Sequence, residues 1–81
     1  MKYVYLIQSI PYPNNRYVGI TSDVGKRVIA HNEGQSPHTS KFKPWKLVAY
    51  VAFSNTEKAI EFEKYLKGGS GRAFAKRHLW S

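Results

Sequence analysis

Residues 3–9 and 16–21 are two runs of aromatic and β-branched side chains, separated by Pro11, Pro13, Asn14 and Asn15. Neither run carries a helical stripe, and the residues between them are turn formers. The pattern predicts two strands joined as an antiparallel hairpin, with a loop longer than the tightest type. Alternation along a strand puts Tyr3 and Tyr5 on one face and Val4 and Leu6 on the other. It leaves open which face is buried.

Ser22 or Asp23 can cap a following helix that runs to about Glu33 and stops at Gly34. Asp23, Arg27 and His31 recur at four-residue spacing and share one side of that helix, beside an apolar stripe of Val24 and Val28. Gly25 weakens the first turn by about 1 kcal/mol relative to alanine, or allows close approach of another segment or a phosphate. Residues 35–46 read as a long loop. Leu47 to Phe53 is a third strand, apolar on both faces and therefore expected at the centre of the sheet. Ser54 with Glu57 matches a capping box for a helix reaching Lys67, with Ala59, Phe62 and Leu66 as its stripe. Gly68 to Gly71 should break it, and Arg72 to Leu79 should form a short basic helix. Nothing suggests a repeat or a linker, so one domain is expected over residues 1–81.

Thirteen Lys and Arg against five Asp and Glu give a net charge of +8, a field that attracts polyanions. The cations recur beside aromatic and Gly/Ser-rich loop residues, which favours nucleic acid. A membrane surface is disfavoured because no long amphipathic helix carries the lysines. With neither a signal peptide nor a bilayer-spanning run in view, a cytoplasmic location is expected. Cysteine is absent, which excludes disulfides, zinc knuckles and thiol nucleophiles.

Several side chains suit phosphate-ester chemistry. The planar fork of Arg27 matches two phosphate oxygens, although an ion pair with Asp23 explains it equally well. His31 could orient a tyrosine or position water, against the commoner structural role of a helical histidine. Tyr5 and Tyr17 are either core residues of the hairpin or phenols whose ionisation nearby cations would favour. Glu63 borders the buried stripe, as a ligand for a divalent ion or as a solvated helix glutamate. So few acids disfavour a two-metal site. Gly19 would let the backbone or a substrate pass close to the sheet. Lys41, Lys43 and Lys46, with Phe42 between them, read as a nucleic-acid contact loop in which Trp45 is a core plug. Arg72, Lys76 and Arg77 extend the basic surface.

The ordered set resembles the GIY-YIG nuclease family, in particular its small stand-alone bacterial members. It comprises Tyr5 on the first strand, Tyr17 and Gly19 on the second, Arg27 and His31 on a helix, and Glu63 on a later one. The segments Lys41 to Val48 and Ser70 to Phe74 add to it, while Tyr3 stands where the family has its first glycine. The resemblance covers most of the chain. It implies a small α/β (α+β) sandwich with a three-stranded antiparallel sheet flanked by helices, in the order β-β-α-β-α-α. It also implies an endonuclease that hydrolyses DNA phosphodiesters with one divalent ion, Mg²⁺ or Mn²⁺, held by Glu63. Tyr17 would be the general base, acting directly or through His31, with Tyr5 bonded to the phosphate or water and Arg27 clamping the phosphate. The alternative is a nucleic-acid-binding module with little turnover.

Overall fold

The computed structural model describes residues 1–80. Strands β1 (Lys2–Ser9) and β2 (Arg16–Thr21) form the hairpin, followed by helix α1 (Val24–Asn32), strand β3 (Trp45–Phe53), and helices α2 (Thr56–Lys67) and α3 (Gly69–His78). The sheet is antiparallel in the order β2-β1-β3. The fold is thus the expected α+β sandwich with the β-β-α-β-α-α order.

The expected position of the third strand is corrected. β1 is the central strand, hydrogen-bonded on both edges, and Val4, Tyr5, Leu6 and Ile7 are buried on both of its faces. β3 lies at an edge with Leu47 and Tyr50 exposed, so its double apolar character does not reflect burial. It begins two residues early, at Trp45, and Val48 is a bulge between the Leu6–Ala49 and Ile7–Leu47 pairs.

Two apolar clusters sandwich β1. Val4 and Leu6 pack with Ala59, Leu66 and Ala75 of α2 and α3. On the other face Tyr5, Ile7 and Trp45 pack with Tyr17, Val24 and Val28, under α1. Asp23 caps α1 by accepting from Lys26 N at 3.0 Å, and the helix closes with Gly34 N bonded to His31 O and Gln35 N to Ala30 O. This is the Schellman pairing expected of a helix ending at glycine. Trp45 fills the core, donating from Nε1 to Thr39 O at 2.8 Å, while the Asn32 amide pairs twice with the Trp45 backbone. These bonds hold the 33–44 segment, which contains a 3₁₀ turn at Ser40–Phe42, against the sheet.

Two helix starts also differ from expectation. Asn55, not Ser54, caps α2, accepting from Lys58 N at 3.1 Å. Gly68 does end α2, as expected, but Gly69 to Gly71 form the first turn of α3, which therefore starts before Arg72. The reason is steric. A Cβ on Gly71 would lie 1.6 Å from Tyr65 O, so α3 docks on α2 through a position that has no room for a side chain. Gly71→Ala should therefore destabilise the fold by about 3 kcal/mol or more. Urea unfolding would measure it, and a loss below about 0.5 kcal/mol would contradict the close α2–α3 approach.

Candidate active site

Tyr5 sits opposite Gly19 in the β1–β2 pairing, and its ring lies across that glycine. A Cβ on Gly19 would fall 2.5 Å from the Tyr5 hydroxyl oxygen, so what approaches the sheet here is the chain's own phenol. Gly25 has no such role, since a Cβ there would meet only Asp23 Oδ1, at an ordinary 3.6 Å.

The Tyr5 Oη lies 2.8 Å from His31 Nε2 and accepts from Arg27 Nε at 3.3 Å. His31 has no exposed surface, and its Nδ1 lies 2.7 Å from Thr39 Oγ1. Arg27, Tyr5, His31 and Thr39 therefore form one hydrogen-bonded chain through the α1 face. Two proton arrangements suit it. With His31 protonated on Nδ1, Tyr5 donates to Nε2; with His31 protonated on Nε2, the Tyr5 proton is free to meet an incoming oxygen.

Electrostatics follow from burial. Desolvation pushes the Tyr5 phenol above its usual value, and the hydrogen bond from Arg27 offsets only part of this. The expectation that neighbouring cations would favour ionisation is thus reversed for Tyr5. Burial, assisted by the Arg27 charge, lowers His31 and keeps it neutral. Arg27 is raised, first by its bond to Tyr5 and then, against burial, by the two phenols Tyr5 and Tyr17. Arg27 makes no ion pair with Asp23, whose carboxylate is engaged as the α1 cap.

Tyr17 is half-buried on the same face. Its ring packs edge-on to His31, with centroids 5.1 Å apart, and lies 6.2 Å from that of Tyr5. Its contact with His31 is ring packing, because both ring nitrogens face Tyr5 and Thr39.

Glu63 arrives from α2. Its carboxylate contributes to the raised Tyr5 value, and its Oε2 lies 2.6 Å from Lys67 Nζ. That ammonium in turn stands 5.9 Å from the centroid of the Tyr17 ring. Tyr5, Tyr17, Arg27, His31 and Glu63 thus gather around the start of β2. Lys41, Lys43, Lys46, Arg72 and Lys76 are all exposed, and Arg72 and Lys76 line a pocket that Tyr17 also borders. Lys41, Lys43 and Lys46 lie outside that pocket. Sequence reasoning missed Thr39, which carries no spacing signal relative to His31. It also missed Lys67, which the four-residue interval from Glu63 could have flagged.

The GIY-YIG catalytic domain matches residues 1–77. The structure-specific endonuclease subunit SLX1 of Debaryomyces hansenii is 32% identical over 96% of the chain, which spans only 23% of that protein. The UPF0213 protein YazA of Bacillus subtilis is 36% identical over 67% of the chain and 56% of its own length. The solution structure of the UPF0213 protein BH0048 of Bacillus halodurans superposes with a TM-score of 0.55 at 32% identity, covering 94% of this chain and 81% of that one. The chain belongs to the GIY-YIG family.

The buried neutral His31 has a measurable consequence. An unfolded histidine takes up its proton near pH 6.5, whereas the folded site resists it to lower pH. Folding stability should therefore be complete above that value and fall as pH drops through the window below it. Urea midpoints at about pH 7.5 and about pH 5.5 would show the loss, and His31→Gln should flatten it. An equally steep loss in the variant would show that His31 does not carry the effect.

Proposed function

We propose that the chain is a divalent-metal-dependent endonuclease that hydrolyses DNA phosphodiesters, selecting strand structure rather than base sequence. The observation that carries this is the position of Tyr17, between the Arg27 guanidinium and the Glu63–Lys67 pair. The name of the SLX1 relative supports the preference for strand structure.

Among the described residues no three His, Asp or Glu side chains converge. Glu63, with a side chain 16% exposed, is the carboxylate that would hold an ion beside Tyr17. A single carboxylate suits a magnesium or manganese ion, which keeps waters and substrate oxygens as its remaining ligands. When bound, such an ion supplies positive charge at the phosphoryl oxygens.

The chain's own groups account for the rest. Arg27 spends Nε on Tyr5, which fixes its fork and leaves the terminal nitrogens for two phosphate oxygens. Tyr5 stays protonated and, with His31 in the Nε2–H form, donates to the phosphate or to the attacking water. Tyr17, as phenolate, takes the water proton as the new P–O bond forms and one ester P–O bond breaks. His31 positions Tyr5 and holds Thr39 behind it.

A nucleic-acid-binding module with little turnover is the second reading, favoured by the ammonium of Lys67 seated on the Glu63 carboxylate. Labelled single-stranded, duplex and branched DNA, incubated with Mg²⁺, Mn²⁺ or EDTA, separates the two. Arg27→Ala and Glu63→Ala should each cut cleavage by at least about 100-fold. Tyr17→Phe should lose about 10²- to 10⁴-fold with DNA binding retained. Because general-base catalysis favours the deprotonated phenol, the wild-type rate should climb toward alkaline pH. Near-normal cleavage by Tyr17→Phe would remove it as the base; binding without cleavage would establish the module.

A further inference from the structure

Next to the catalytic cluster, and sharing Tyr17 as a wall, is a pocket of about 520 Å³ bordered by Arg16, Lys67, Arg72, Lys76 and Trp80. Four cations face one recess, and among the described residues no carboxylate lines it. Among the described residues Lys67 alone is paired, with Glu63. Such crowding of like charge costs stability in the free protein, and a bound anion relieves it.

Two of these cations are held in place by contacts that leave donors free. The Arg16 guanidinium lies 5.1 Å from the centroid of the Trp80 ring. Stacking of this kind occupies the flat face of the fork and leaves its edge N–H groups available. Arg72 donates from Nε to Lys67 O at 3.1 Å, which leaves its two terminal nitrogens unspent. Lys76 lies one helical turn beyond Arg72 on α3, so both project from the same side of that helix. The volume lies within the range that holds a small organic ligand. It suits one nucleotide and is too small for stacked base pairs.

We propose that this pocket is a nucleotide subsite. It grips the phosphate of the nucleotide adjacent to the scissile one, on a strand unpaired at that point. The assignment rests on the nuclease reading for the position of the scissile phosphate at Arg27, but the binding it describes requires no cleavage. It makes Arg16 and Trp80, neither of which lies in the Tyr–Arg–His–Glu cluster, determinants of which strand structures are accepted.

The test uses the full chain in EDTA with three probes: a six-nucleotide oligothymidylate, a blunt DNA hairpin and inorganic phosphate. NMR shifts on adding oligothymidylate should centre on Arg16, Arg72 and the Trp80 indole. Arg16→Ala/Lys76→Ala should weaken oligothymidylate binding by at least about tenfold and lower the salt slope by roughly 1.4. The control Lys58→Ala/Lys64→Ala, which removes equal charge from α2, should change affinity less than about twofold. Equal losses in the two double variants would overturn the subsite, leaving only general charge attraction. A hairpin binding as tightly as the oligothymidylate would overturn the requirement for an unpaired strand. Shifts as large with inorganic phosphate at equal concentration would reduce the site to a simple anion recess and also overturn the proposal. Failure of wild-type cleavage with these binding results intact would remove the nuclease reading and leave the subsite standing. Normal cleavage with Arg16→Ala/Lys76→Ala binding unimpaired would do the opposite.

Discussion

A buried phenol organises this molecule. β1 is paired on both edges and covered on both faces, so every side chain from Val4 to Ile7 is withdrawn from water. For Val4, Leu6 and Ile7 that is favourable. For the Tyr5 hydroxyl it is costly unless partners replace the lost water. Arg27 and His31 are those partners, and His31, equally buried, needs Thr39 on its far side. Gly19 completes the set, because any larger residue opposite Tyr5 would occupy the space of its hydroxyl. One apolar environment thus dictates the orientation of α1, the path of the loop through Thr39 and the composition of β2.

The same sheet is narrow enough for groups from opposite layers to meet. Tyr17 belongs to the face covered by α1, whereas Glu63 and Lys67 project from α2, which packs on the other face. A wide sheet would keep these layers apart. Here β2 is an edge strand, and the Glu63–Lys67 pair reaches Tyr17 at its start. The tight α2–α3 junction at Gly71 brings Arg72 and Lys76 to the same edge. The Tyr–Arg–His–Glu cluster and the basic pocket are therefore neighbours by construction, with Tyr17 common to both.

Local patterns in the sequence were informative where short-range physics decides. The four-residue interval between Arg27 and His31 puts both on one side of α1, and both do reach Tyr5. Asp23 was legible as a cap, and that role explains why it forms no ion pair with Arg27. Long-range choices were hidden. The apolar character of β3 suggested a central strand, yet the centre belongs to β1, because hairpin pairing and the return of β3 both use its edges. The glycine run before Arg72 suggested a break, which occurs at Gly68, but close packing on α2 made Gly69 to Gly71 the start of the next helix. Thr39 could not be foreseen, since its link to His31 depends on how the loop folds back under Trp45.

By itself the sequence determined the identity and order of the elements, the family to which the chain belongs and its strongly cationic character. The elements and the charge follow from periodicity, turn chemistry and composition, which act over a few residues or over the whole chain without regard to shape, and the family from the ordered set of residues that resembles it. Tertiary structure alone decided which strand lies inside, which phenol is desolvated and which carboxylate stands beside which cation. Those outcomes depend on contacts between segments far apart in the chain, whose distances are set only when the layers close on β1.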